Sequence, residues 1–311
     1  MPWYGYTILI ILLLILIFFI TCYISYRMTF YSKNKKYPIT DDIYLPDDPI
    51  FNEFRCEIIE DIKTVRGYTK EEYIIKSHDG LYLSGKYYEY KKGAPLEIMF
   101  HGYRGNSERD MSTGVLRAFK CERNALIVDH RASGNSTGHT ITFGIKERLD
   151  CLSWLNFAIE KFGEDTQIIL TGISMGAATV LLTSDEDLPK NVKGILADCG
   201  YTSPKEIIKK VVKDMKLPVK LFYPIIKFSA RLFGKFNLEE KTPLEAVKNA
   251  KVPIFFVHGD KDGFVPTSMS KEMYDACTSK KTLVLIKDAL HGTSYMKDST
   301  TYIDELNKFF K

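Results

Sequence analysis

The hydrophobic and polar positions of this chain fall into two regimes. From Thr7 to Tyr26 the sequence reads TILIILLLILIFFITCYISY, without one charge. Twenty helical residues rise about 30 Å, the thickness of a bilayer's hydrocarbon core. Trp3, Tyr4 and Tyr6 precede the run, and Tyr26, Phe30 and Tyr31 close it; such aromatics favour the two membrane interfaces. A cleaved signal peptide fits poorly, because the run is too long, has no basic segment before it and carries no A-x-A-like site. The pattern predicts an uncleaved anchor. No basic residue lies before the span, whereas Arg27, Lys33, Lys35 and Lys36 follow it. The positive-inside rule then places the rest of the chain in the cytoplasm of a single-pass membrane protein.

The second regime begins near residue 70, after a polar connector (about 27 to 50) and a mixed, partly helical segment. EYIIKS (72–77), the turn HDG and LYLSGKYY (81–88) read as a β-hairpin. Short apolar runs follow as strands: LEIMF (96–100), ALIVD (125–129), QIILTG (167–172), VKGILAD (192–198), VPIFFVHG (252–259) and TLVLIK (282–287). Between them, apolar residues at helical spacing predict helices over 108–120, 144–162 and 267–278, with one after QIILTG and a last one over 295–310. Buried strands alternating with amphipathic helices imply an α/β domain, a mostly parallel sheet covered on both faces. The stretch 203–250 breaks this rhythm. It carries two helical patterns and no strand, and reads as a helical cap inserted between the sixth and seventh strands. The expected organisation is an anchor with a basic flank (1–36), a connector (37–70) and a folded domain (71–311) with its cap.

Composition narrows the classes. The formal net charge of +4 over 311 residues is too small to argue for nucleic acid. Cys22, Cys56, Cys121, Cys151, Cys199 and Cys277 show no CxxC pairing and no zinc spacing, so free thiols in a reducing compartment are expected. Charge is concentrated in the cap. Between Tyr201 and Leu238, nine basic residues face two acidic ones, a surplus of seven. Ile207, Ile208, Val211, Val212 and Met215 share one helical face there. That face can pack on the core while the lysines meet water, or the basic cap can face the anionic inner leaflet.

The chemistry centres on Gly172-Ile173-Ser174-Met175-Gly176, which follows a strand and opens a helix. A serine on such a turn is held clear of the sheet, and the N–H of Met175 can point at a developing oxyanion. Gly134-Asn135-Ser136-Thr137-Gly138 matches the same pattern but no helix follows it; its Gly/Ser/Asn content reads as an exposed loop. A serine nucleophile needs a base, and the base an orienting acid. Downstream of Ser174 the histidines are His258 and His291. His258 ends a strand and reads as structural. His291 lies in the loop between the last strand and the last helix, where a base can reach back across the strand ends. For the acid, Asp262 is chosen over Asp260, which reads as supporting its turn; Asp198 is the second candidate. The loop His101-Gly102-Tyr103-Arg104-Gly105 after LEIMF offers the backbone N–H of Tyr103 as a second oxyanion donor. His101 is expected to bond backbone locally. Arg104 is expected to be solvated, or else to read an anionic group of a substrate.

Over about residues 70–311 these motifs resemble the α/β-hydrolase superfamily, in particular its bacterial membrane-anchored esterase-type members. HGYRGN is similar to the oxyanion loop, DHRASGNSTG to the loop after the fourth strand, GISMG to the nucleophile elbow and HGDKDGFVP to the acid turn. The resemblance implies a Ser174–His291–Asp262 triad, an oxyanion hole of Tyr103 and Met175 amides, and no cofactor. It implies two-step acyl transfer on an ester or thioester, with a small-molecule or lipid-like substrate. Aminopeptidase or amidase chemistry on the same triad, and a non-catalytic binding protein on the same fold, remain alternatives.

Overall fold

The computed structural model describes residues 3–33, 43, 45–46 and 49–311. Lys35 and Lys36, and most of the expected connector up to residue 48, lie outside the described residues. The chain opens with α1 (Trp3–Thr29), followed by α2 (Pro49–Asn52) and α3 (Arg55–Arg66). The hairpin strands are β1 (Glu71–Lys76) and β2 (Tyr82–Tyr88). Then come β3 (Leu96–Phe100), α4 (Ser107–Lys120), β4 (Asn124–Val128), α5 (Glu147–Phe162), β5 (Ile168–Ile173), α6 (Met175–Leu181) and β6 (Val192–Asp198). The cap holds α7 (Pro204–Asp214), α8 (Val219–Leu232) and α9 (Pro243–Val247). After it lie β7 (Ile254–Gly259), α10 (Thr267–Ala276), β8 (Lys281–Ile286), α11 (Ser294–Lys297) and α12 (Ser299–Phe309).

The strands form one eight-stranded sheet in the order β1-β2-β4-β3-β5-β6-β7-β8. β2 runs antiparallel to both its neighbours, and the pairs from β4 to β8 are parallel. β3 and β4 are buried along their whole length, as continuous apolar runs in a doubly covered sheet must be. Alternate side chains divide between two cores. Ile98, Phe100, Leu126 and Val128 pack with α5, α6 and α10 on one face. Met99, Ala125 and Ile127 pack against α3 and α4 on the other, beside the layer that α12 forms with Phe255 and Val257.

Two details differ from the sequence pattern. The cap contains a third helix, α9, too short for periodicity to show; Thr242 and Glu245 form its capping box. The last helix is broken into α11 and α12 at Asp298, whose non-helical backbone interrupts it and whose side chain, accepting from Thr301 N–H, caps a new helix.

α1 divides along its length. Most of it exposes Ile, Leu and Phe side chains. Its end is built into the folded domain: Cys22, Tyr26 and Phe30 are buried, and Tyr26 and Phe30 share a core with Phe143, Met175, Ile207 and Phe236. Tyr31 bridges Thr140 as in a β-ladder, and Ser32 N–H donates to His139 O. α8 lies against α1, with ring contacts from Phe228 to Phe18 and from Phe233 to Tyr23 and Tyr26.

Candidate active site

β3 and β5 are neighbours, yet the chain leaves β3 toward β4 on one side and returns to β5 on the other. Loops at such a reversal diverge and leave a crevice beyond the strand ends. The Phe100–Gly172 register brings the loop after β3 beside the turn after β5. Ser174 occupies that turn with φ 56° and ψ −114°, a strained conformation for a residue with a Cβ. Its N–H donates to Asp198 O at 2.8 Å. A Cβ on Gly176 would sit 1.9 Å from Phe100 O, and one on Gly172 would sit 2.2 Å from Gly176 backbone. The two glycines are needed because strand and helix touch there, and that contact presents the Ser174 hydroxyl at the crevice.

Ser174 Oγ lies 2.9 Å from His291 Nε2, and His291 Nδ1 lies 2.7 Å from Asp262 Oδ2. Because Nδ1 faces a carboxylate, it carries the proton, leaving Nε2 to accept from the serine. The Asp262 carboxylate also takes the N–H groups of Phe264 and Val265 on Oδ1. His258 Nε2 lies 3.0 Å from Asp262 Oδ2 and from Val265 O, and Ser270 lies 2.7 Å from its Nδ1. Burial pushes the Asp262 carboxyl up, but the bonds from His258 and His291 outweigh it and hold it well below the usual carboxylate range. The Asp262 carboxylate therefore stays ionised beside His291, with His258 bonded to the same oxygen.

The other candidates fall elsewhere. The Asp198 side chain turns to Ser294 Oγ and Tyr302 Oη, and burial raises its carboxyl to about 6. Asp260 accepts from Asp288 N–H and ties two turns together. His101 Nδ1 bonds Gly102 O at 2.7 Å, while its Nε2 accepts from His130 N–H at 3.0 Å. The loop at Gly134–Gly138 is exposed at Asn135 and Thr137, as expected, but Ser136 itself is buried, and its hydroxyl donates to Asp129 O and accepts from Ser84 N–H. Arg104 is exposed, as expected, and lines the edge of the cleft, while its guanidinium bonds the carbonyls of Met28 and Tyr31 at the end of α1. Met175 follows Ser174, Tyr103 lines the same cleft, and no main-chain carbonyl among the described residues takes either N–H.

A cleft of about 400 Å³ opens beside Ser174 and His291. It runs along the sheet face covered by α4, between Met99, Met111, Ile58, Leu196 and Met296. Arg117 and Thr171 lie at its floor, where Glu97 accepts from both and from Arg123. The cap supplies none of the cleft's lining; Phe51 and Ile58, from α2 and α3, do. Sequence reasoning missed this roof, although Ile58, Ile62 and Val65 repeat at helical spacing.

This strand order, with a strained serine at the β5–α6 turn and a histidine after β8, defines an α/β-hydrolase fold. Residues 169–292, from the elbow to the histidine, match the family model described as serine hydrolase (FSH1). The chain is 28% identical over 187 residues to the protein YqkD of Bacillus subtilis and 22% identical over 195 residues to protein bem46 of Schizosaccharomyces pombe. These matches cover 60% and 62% of this chain, and it spans about three fifths of the length of either relative (61% and 60%). The Pyrococcus furiosus esterase Pf2001 superposes with a TM-score of 0.63 at 23% identity, over 79% of this chain and 92% of the esterase. The chain has the α/β-hydrolase fold.

Proposed function

We propose that this protein is a membrane-anchored serine hydrolase that cleaves carboxylic ester or thioester bonds. The observation that carries the proposal is the unbroken line Ser174–His291–Asp262 at the mouth of an apolar cleft. His291 takes the Ser174 proton as Oγ attacks the carbonyl, and the N–H groups of Tyr103 and Met175 receive the oxyanion. His291 then protonates the leaving group. Water repeats the sequence to release the acid. The apolar walls of the cleft suit an aliphatic or aromatic acyl group of modest size. A fluorophosphonate probe, which reacts quickly only with an activated serine, should label the chain and fail on Ser174→Ala. Normal turnover of p-nitrophenyl esters by Ser174→Ala would overturn the assignment.

The exposed apolar surface of α1 supports anchoring, since a bilayer is the medium in which such a surface is stable. Burial of Tyr26 and Phe30 in the domain favours retention of the helix. Arg27 and Lys33, after the span, favour a cytoplasmic domain. Beside α1, the α8 stripe Leu221, Phe228 and Leu232 is exposed among the lysines of the cap. In this reading the stripe dips into the inner leaflet while the lysines reach its phosphates. Because α1 alone would hold the chain on vesicles, the readout is hydrogen exchange: Leu221→Asp with Phe228→Asp should abolish any extra protection that anionic over neutral vesicles give the α8 amides. Protection unchanged by the substitutions would remove the cap from the membrane-binding surface.

A further inference from the structure

A helix leaves its last carbonyls without intrahelical donors, and its C-terminus carries partial negative charge. α1 meets this need in an unusual place. Arg104 Nη2 donates to Met28 O at 2.7 Å and to Tyr31 O at 3.3 Å. Tyr103 Oη donates to Thr29 O at 2.7 Å, and Arg104 Nε donates to the same hydroxyl at 2.8 Å. The end of the anchor is thus capped by the loop that carries the second oxyanion donor. The same loop is held from the opposite side, where Gly102 N–H donates to Asp110 Oδ2.

The loop needs holding. Arg104 has φ 55°, a left-handed conformation that costs a residue with a Cβ about 1 kcal/mol or more. The Tyr103 ring is pinned against Phe143, 5.0 Å away, and Phe143 packs on Phe30 of the α1 terminus at 5.7 Å. Side chain, ring and backbone of residues 103–104 therefore refer their position to α1. An oxyanion donor works only when fixed in place before charge develops, and a small displacement forfeits much of its effect.

We propose that the C-terminal turn of α1 is a positioning element of the active site: the carbonyls of Met28, Thr29 and Tyr31 hold Tyr103 and Arg104, and through them the Tyr103 N–H, in the geometry that receives the oxyanion. This inference rests on the hydrolase reading above. The anchor then contributes to the chemical step as well as to address. Both residues also line the cleft, so the test must separate positioning through the main chain from contact with substrate.

The test uses the full chain in lipid nanodiscs with a p-nitrophenyl ester and with a trifluoromethyl ketone that forms a tetrahedral adduct on the serine. Tyr103→Phe keeps the ring and the N–H but loses the bond to Thr29; Arg104→Ala loses the bonds to Met28 and Tyr31. Each should lower kcat about tenfold or more with KM within about twofold, and should weaken the trifluoromethyl ketone by the same factor. Arg104→Lys should restore part of both. Unchanged kcat in Tyr103→Phe and Arg104→Ala overturns the proposal. So does a loss confined to KM, which would mean that Arg104 meets substrate, or a fall in kcat with unchanged ketone affinity. Wild-type protein that fluorophosphonate leaves unlabelled overturns the hydrolase reading and this role together; labelled wild type with unaffected variants overturns the role alone.

Discussion

Gly172–Gly176 and Gly134–Gly138 carry the same Gly-x-Ser-x-Gly pattern, and in both the serine is buried. Their surroundings set them apart. Ser174 sits at φ 56° between a strand and a helix, with its hydroxyl turned to a histidine. Ser136 sits in the long connection after β4, and its hydroxyl is spent on Asp129 O and Ser84 N–H. That connection is held by Asp129, whose carboxylate takes the N–H groups of Ser107 and Asn135. One pentapeptide turns its hydroxyl to a histidine at some cost in backbone strain; the other ties a loop to β2 and to Asp129. Local pattern therefore names a candidate, and the partner of the side chain decides its role.

Crossed substitutions test that contrast, and the largest effect belongs to the elbow. Ser174→Ala should lose about 10⁴-fold or more in kcat/KM while its melting temperature stays close to wild type. Next is Asp262→Asn, which leaves the histidine without its orienting carboxylate. About 10⁴-fold loss in kcat is expected, read in the same ester assay, with fluorophosphonate labelling slowed in parallel. Ser136→Ala should reverse the pattern. It strands a buried N–H and carbonyl and should cost about 1–3 kcal/mol by urea unfolding, with kcat retained. If Ser136→Ala abolished turnover without destabilising the fold, the division of roles between the two loops would be wrong.

The smallest effect concerns Asp198, whose main chain holds the elbow. Burial raises its carboxyl to about 6 in the folded protein, above its ordinary value. The folded state then binds more protons than the unfolded state between about pH 4 and 6, so this group's contribution is fully present below that window and lost as pH rises through it. Asp198→Asn should remove a slope on the order of 2 kcal/mol from the stability profile, measured by unfolding from pH 4 to 7. A profile unchanged by the substitution would mean that Tyr302 and Ser294 bond the carboxylate well enough to cancel its burial.

Strands and elbow were legible because their signals are local: β3 and β6 are apolar runs of the length a covered sheet needs, and GISMG stands between a strand and a helix. The chain order of Ser174, Asp262 and His291 was legible from topology. The rest depends on distant pairs. Tyr103 and Thr29 are 74 residues apart, and nothing in either neighbourhood announces the other. The burial of Ser136 between exposed Asn135 and Thr137 was not legible, because composition records polarity, while burial depends on whether each polar atom finds a partner. The apolar roof of the cleft was not legible because α2, α3, α4 and α11, which supply Phe51, Ile58, Met111 and Met296, contribute no chemical motif.

The burial of Cys22, Tyr26 and Phe30 in the folded domain also sets a rule for recombination. The seam between the exposed part of α1 and the folded domain falls within a continuous helix, near the contact of Phe18 with Phe228. A helix transmits rotation. One residue inserted above that seam would turn the exposed part by about 100° relative to the domain and lengthen it by about 1.5 Å, whereas an insertion of seven would nearly restore the phase. Exchange of this apolar segment with that of another protein must therefore respect helical phase as well as length.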